Sequence, residues 1–503
     1  MTGTLICTTR NAEAVRTTDI PLVTIKEFRD SVIAEVSGGS RIVSFFGQPA
    51  GRVVRLYAVL ARDESGTLAL LAADVQDSYP SLTPDCPQAH WFEREIAEQW
   101  GLVPAGHPWL KPIRFHTSYR TGKEISREAS NPIGVTDYFQ VSGAEIHEVA
   151  VGPVHAGIIE PGHFRFQCHG ENVYHLEISL GYQHRGIEPA MLRGPSKRRI
   201  HLVETAAGDT TVGHATAYSH AMEALSGCQV PARAAFLRGI ALELERLANH
   251  TGDMGALAGD VGYLPSMSYC GRIRGDFLNM TALLCGNRFG RGLIRPGGVH
   301  FEVDESRIRA LTDRLNSASK DVTVAVELML SSPSVLTRFE GTGGITSQMC
   351  RELGIVGPVA RACGERRDVR RDFPSGIFRF SQIPVSTWHT GDVFSRALVR
   401  WLEIQRSIQF VRDQAGMIPD GAHRVDVAAL QPGSITVSMV EGWRGEICHV
   451  AITDQEGRLA HYKIVDPSFH NWFGLAIALR GQQISDFPLC NKSFNLSYCG
   501  HDL

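Results

Sequence analysis

The sequence predicts an α+β fold, on three observations. Apolar, β-branched runs with a period of two occur early in the chain, again at 164–180, and again at 435–465. Four apolar stripes at spacings of three and four fall between residues 201 and 415. A polar stretch at 117–150, rich in Gly and Ser and without a clear period, separates the two regions as a linker. The division is therefore a small α/β domain at 1–120, a linker at 121–150, and a long-helix bundle decorated by β-hairpins at 151–503.

Composition narrows the function classes. The chain has 503 residues, enough for two or three domains with sizeable cores. A net charge of −3 gives no electrostatic case for nucleic acid. No apolar run reaches the length of a membrane span and the start lacks the pattern of a secretory signal, so membrane association is expected through partners. Eleven scattered cysteines, with no C-x-x-C among them, read as reduced thiols.

Taken in order, Lys26–Val36 reads as a helix and Ile42–Phe46, Val53–Arg62 and Leu68–Val75 as strands. A short helix begins at Trp91-Phe92-Glu93-Arg94-Glu95 and stops near Gly101. By itself Glu93-Arg94-Glu95 reads as a solvated helix face. A β-hairpin follows the linker: Phe164 and Phe166 alternate, then Tyr174, Leu176, Ile178 and Leu180, with 169–172 turning the chain. His155 and His163 precede its first strand, and His184, Arg185 and Glu188 follow its second, so one end of the hairpin gathers them. Helices are expected at Pro231–Asn249, Ser306–Ser331 and Asp392–Ala415, with another carrying Ala217, Ala221, Ala224 and Leu225. Ile435–Val440, Ile447–Thr453 and Ala460–Val465 form a β-meander. The basic run 366–371 reads as a contact between subunits or a solvated face, and Gly-rich 341–344 lacks the context of a phosphate loop.

These motifs resemble two related families. Gly152-Pro153-x-His155 and Arg185-Gly186-x-Glu188 resemble the opening of nickel–iron hydrogenase large subunits and of the 49-kilodalton subunit of respiratory complex I. The wording is nearest to the membrane-bound, energy-converting hydrogenases, formate hydrogenlyase included. Glu243-x-x-Arg246-x-x-Asn249-His250, Arg295-Pro296-Gly297-Gly298 and Arg444-Gly445-Glu446 continue the likeness. Glu93-Arg94-Glu95 with Gly106-His107-Pro108 resembles the complex I 30-kilodalton subunit, which such hydrogenases carry fused in front.

The resemblance implies a test. A nickel–iron centre takes four thiolates from two C-x-x-C motifs. The positions ahead of His214 hold Ala207 and Thr210, and those after Asp466-Pro467 hold Ser468 and Asn471. No NiFe centre is expected. The resemblance then implies the complex I chemistry, in which a quinone occupies the vacated region. His163 is the implied headgroup ligand, with Asp260 behind it raising its basicity. The family tyrosine falls near Gly208, so that ligand is replaced, with His214 as a substitute donor. Glu188 is the implied proton gate, with Arg185 beside it; a structural Arg–Glu pair is the alternative. The implied partners are an iron–sulfur small subunit with a [4Fe–4S] cluster, antiporter-like and proton-channel membrane subunits, and no nucleic acid. The implied location is peripheral, on the cytoplasmic side of the inner membrane. An active hydrogenase and a non-catalytic assembly scaffold are the other two readings.

Overall fold

The computed structural model describes residues 6–120, 133–155, 159–194 and 196–503. Helices and antiparallel sheets are both present, as the α+β pattern requires. The expected helix near residue 26 runs Ile25–Ser37. Thr24 caps it: its hydroxyl accepts from Glu27 N at 3.3 Å, and the Glu27 carboxylate accepts from Thr24 N at 2.9 Å. Arg41–Ala50, Val53–Arg62 and Thr67–Val75 pair antiparallel in one sheet, with Cys7–Thr9 and Leu22–Val23 beside Thr67–Val75. The helix His90–Trp100 ends where Gly101 turns left-handed, with φ of 63°. Its Glu93, Arg94 and Glu95 are buried, not solvated. Burial is tolerated because each finds partners. Glu93 takes Leu82 N at 2.8 Å, and Arg94 donates to the carbonyls of Lys111 and Pro112.

The meander is found as Ser434–Gly442, Gly445–Thr453 and Leu459–Val465. Ala14–Arg16 adds to it as a fourth strand, pairing with Ser434–Thr436. The start of the chain is thereby woven into its far end. The two sheets share one core, in which Phe46 stacks on His461 at 5.0 Å, and Arg41 Nη1 donates to Glu446 at 2.7 Å.

The hairpin is His163–His169 and Asn172–Ser179. A third strand, Ile146–Val151, pairs with it from inside the expected linker; residues 121–132 of that linker lie outside the described residues. The short period of this strand is masked by the polar residues around it. A bulge between Gln167 and Cys168 leaves Tyr174 unpaired and swings it outward, against the expected alternation; Val173 takes the inward place.

The bundle is built on Thr211–Ser226, Ala232–Asp260, Leu264–Cys285, Glu305–Leu330 and Val393–Ala415. The second runs eleven residues past the expected Asn249, through a Gly-rich stretch. Those glycines serve packing: a Cβ on Gly255 would lie 2.9 Å from Cys270 Cβ, and one on Gly259 2.8 Å from Met267 Sδ. They let the unforeseen Leu264–Cys285 helix lie close. No helix among the described residues is long and apolar enough to cross a membrane. In the basic run, Arg370 is buried and bonded to Asp368 and Glu243, whereas Arg366 and Arg371 are exposed. Gly343 turns left-handed against Cys490, and its carbonyl accepts from Arg396, so 341–344 is a packing turn.

Two histidines whose Nε2 atoms are buried set a pH dependence. Burial, together with Lys463 for His461 and Arg41 for His470, pulls each down to about 3. The unfolded chain takes up these protons near pH 6.5 and the folded one does not, so stability falls as pH drops below about 6.5. Thermal unfolding from pH 7 to 5 should show a steady loss, and His461→Phe, which keeps the stack on Phe46, should flatten it. An unchanged slope in the variant would count against this account.

Candidate functional site

The site forms where the two thiolate-deficient segments meet. His214 stands in the first turn of Thr211–Ser226, and Asp466 caps Pro467–Ala478 by accepting from Ser468 N at 2.8 Å. His214 Nε2 lies 3.1 Å from Asp466 Oδ2, with both side chains fully buried. Burial works against the Asp466 carboxylate, but His214, Arg444 and Ser468 outweigh it and hold its pKa below the ordinary range. His214 Nδ1 lies 3.1 Å from His449 Nε2, and His449 Nδ1 lies 2.8 Å from the Tyr462 hydroxyl. Burial, then His214, keeps His449 neutral by lowering its pKa well below the usual value. One direction satisfies all four groups: Tyr462 O–H donates to His449, His449 to His214, and His214 to the anion.

The four vacated positions are engaged otherwise. Thr210 Oγ1 accepts from Trp443 Nε1 at 3.1 Å. Ser468 Oγ accepts from Ser497 N at 2.8 Å. Asn471 bonds both backbone groups of Val356, at 3.0 and 3.1 Å. Ala207 is fully buried. Beside them Arg444 grips Asp209 at 2.6 and 2.7 Å. The Glu245 carboxylate accepts from Val212 N at 2.7 Å and Gly213 N at 3.1 Å. Burial, opposed by those two N–H groups, pushes Glu245 up to about 8. At the surface of the same wall, Gly208 is exposed, and a Cβ there would meet nothing within 4 Å.

Glu188 and Arg185 do not pair. Glu188 is buried and accepts from Lys463 Nζ and from Ile464 N, both at 2.9 Å. Lys463 also binds Glu95 at 2.6 Å, and Arg114 binds Glu95 as well. Burial raises the Glu95 pKa, but Lys463 and Arg114 overcome it and bring it down to about 2. Arg185 instead donates to the carbonyls of Thr205, Ala206 and Cys499, at 2.5, 3.0 and 2.9 Å. It ties the hairpin end to two other segments.

His163 sits at the start of its strand, nearly buried. Its Nδ1 lies 3.3 Å from Gly152 O, its ring centroid is 5.3 Å from that of Tyr138, and its Nε2 is buried without a partner. Asp260 closes the Ala232–Asp260 helix in an exposed position with Lys492 nearby. Among the described residues no hydrogen bond or ion pair joins it to His163. Burial, not a carboxylate, dominates His163 and lowers its pKa. His155 Nε2 lies 2.8 Å from Gly162 O, on the loop before His163. No group of three or more metal-ligating side chains occurs among the described residues.

His449, Tyr462, Glu245 and Lys463 were not singled out from sequence. Asp466 had a signal, its Asp-Pro step. His449 and Tyr462 carried none, because strand register alone brings them together.

The family model of the respiratory-chain NADH dehydrogenase 49 Kd subunit matches residues 260–434, and that of the 30 Kd subunit matches residues 33–123. The carbon monoxide-induced hydrogenase of Rhodospirillum rubrum is 30% identical over 352 residues, covering 69% of this chain and 97% of its own. Hydrogenase-4 component G of Escherichia coli is 30% identical over 446 residues, covering 86% of this chain and 76% of its own. The C/D subunit of the NADH-quinone oxidoreductase of Nitrosospira multiformis is 24% identical over 493 residues, covering 87% and 81%. The chain belongs to the family of energy-converting hydrogenase large subunits and complex I 49 kDa subunits, with a 30 kDa-type domain in front. It is thus a hydrogenase-related or complex I-type subunit of a respiratory-type complex.

Lys463→Met would leave Glu95 and Glu188 buried with one cation fewer. The expected cost is about 3–5 kcal/mol in chemical denaturation. Adding Glu95→Gln should recover part of it. Equal stability of wild type and Lys463→Met would remove the lysine from its assigned role.

Proposed function

We propose that this chain acts without a nickel–iron centre and passes electrons from an iron–sulfur partner subunit to a quinone. The observation that carries this reading is the donor set at the vacated motifs. A methyl group, two hydroxyls and a carboxamide offer no thiolate, and they do not fit a centre that needs four soft ligands. Three of the four are already held by hydrogen bonds at 2.8–3.1 Å.

His163 suits a quinone headgroup. Gly152 O only accepts, so Nδ1 carries the ring proton and the partnerless, buried Nε2 is an acceptor, suited to a hydroxyl of the reduced quinone. A bound quinone would supply the two-electron acceptor. The chain's part would be to hold that hydroxyl at His163, while His214, bonded to Asp466 and His449, would order the vacated motifs. Asp260 is proposed as a proton source nearer the surface, and Glu188 and Arg185 as groups that fix the hairpin end. The proposed setting is peripheral, on the cytoplasmic side of the inner membrane, against a [4Fe–4S] small subunit and antiporter-like and proton-channel subunits.

The test is quinone reduction by the intact purified complex, with nickel analysis. Loss of at least about tenfold in rate with His163→Ala, and nickel far below stoichiometry, is the expected result. Stoichiometric nickel in the subunit would overturn the reading. Unchanged turnover in His163→Ala would take this histidine out of it, and no turnover with any quinone would favour the scaffold.

A further inference from the structure

A cavity of about 550 Å³ opens away from the vacated motifs. It lies where Ala14, the end of the Thr211–Ser226 helix, the start of the Ala232–Asp260 helix and residues 375–380 meet. Its volume falls in the range of small-molecule sites, about 300–1,000 Å³. Leu242, Ile377 and Phe378 give it apolar walls.

Most of its charged groups are neutralised. Glu223 is gripped by Arg238 at 2.6 and 3.0 Å. Glu441 accepts from Arg361 at 2.7 Å and from Val369 N at 3.0 Å. Arg370 binds Asp368 at 2.6 Å and Glu243 at 3.1 Å. Arg379 differs. It is exposed, its Nε reaches only the Pro374 carbonyl at 3.4 Å, and no carboxylate among the described residues pairs with it. His220 stands beside the same turn: a Cβ on Gly376 would be 3.9 Å from its Nε2, and its Nδ1 is buried without a partner. Burial brings its pKa down to about 4, so the ring is neutral at physiological pH.

We infer that this cavity binds a small amphipathic carboxylate. Arg379 takes the carboxylate, His220 hydrogen-bonds a polar atom beside it, and Leu242, Ile377 and Phe378 enclose its apolar body. A guanidinium fork matches a carboxylate in two parallel hydrogen bonds. Glu13 at the rim disfavours a second negative charge, which selects a monoanion over a phosphate monoester. Phe380, 86% exposed at the rim, offers a ring face to an aromatic body. The inference is independent of the proposed electron transfer.

The experiment uses the full chain, 2-naphthoate as the probe and 2-naphthamide as its neutral isostere. Binding is read by calorimetry and by the alkylation rate of Cys228, which lines the cavity. Naphthoate should saturate, slow alkylation of Cys228, and bind at least about tenfold tighter than the amide. Arg379→Gln should bring naphthoate to the affinity of the amide and leave the amide unchanged, while Arg379→Lys recovers part of the difference. Arg379 is exposed, so neither variant disturbs the core. Absence of saturable naphthoate binding, equal affinity for the amide, binding that leaves Cys228 unprotected, or indifference to Arg379→Gln would each overturn the inference.

Discussion

The hydrogen bond between His214 and Asp466 is the constraint on which the site depends. It joins residues 252 apart in sequence, inside a region without exposed surface. A buried carboxylate is costly unless its lone pairs are used. Here they are used by His214 and by the N-terminus of the helix that Asp466 itself caps. The consequence reaches further along the chain. Residues 497–500 lie so close that a Cβ on Gly500 would be 2.7 Å from Asp466 Cγ. Ser497 in turn bonds Ser468. The two segments that lack the thiolates are thus held together by hydrogen bonds.

A second constraint joins the 30 kDa-type part to the rest. Glu95, Arg114, Lys463 and Glu188 come from four separate stretches and share one buried cluster. None of the four could be buried alone. With the strand Ala14–Arg16 paired to the meander, and Phe46 on His461, the first sheet and the meander share one core.

This explains what the sequence made legible. Elements whose periodicity arises within a single segment were readable: Ile25–Ser37, the three long strands of the first sheet, the hairpin and the meander. Features decided by a distant partner were not. Gly255 and Gly259 look like helix breakers until the helix they touch is known. Glu93-Arg94-Glu95 looks solvated until Arg114 and Lys463 are seen to meet Glu95. Ile146–Val151 looks like linker until the hairpin claims it. Among the site residues, His214 and the vacated positions were legible through the family resemblance, whose motifs place them. The separation of Arg185 from Glu188 was not, since Lys463 competes for the glutamate from 275 residues away.

The direction of the buried chain bears on where protons are handled. Asp466 is an anion that only accepts, so it fixes the proton of His214 on Nε2. That leaves Nδ1 to accept from His449, whose other nitrogen must then accept from Tyr462. One charge thereby orients the three groups behind it. A proton arriving on His449 would meet both desolvation and His214, which is why that ring resists charging. Such a chain is good at holding a geometry and poor at exchanging protons with water. A redox reaction at this locus would therefore draw its protons from groups outside the chain. Glu245, outside the chain and with its carboxyl pushed up to about 8, holds a proton near neutral pH where Tyr462 and His449 neither lose nor gain one.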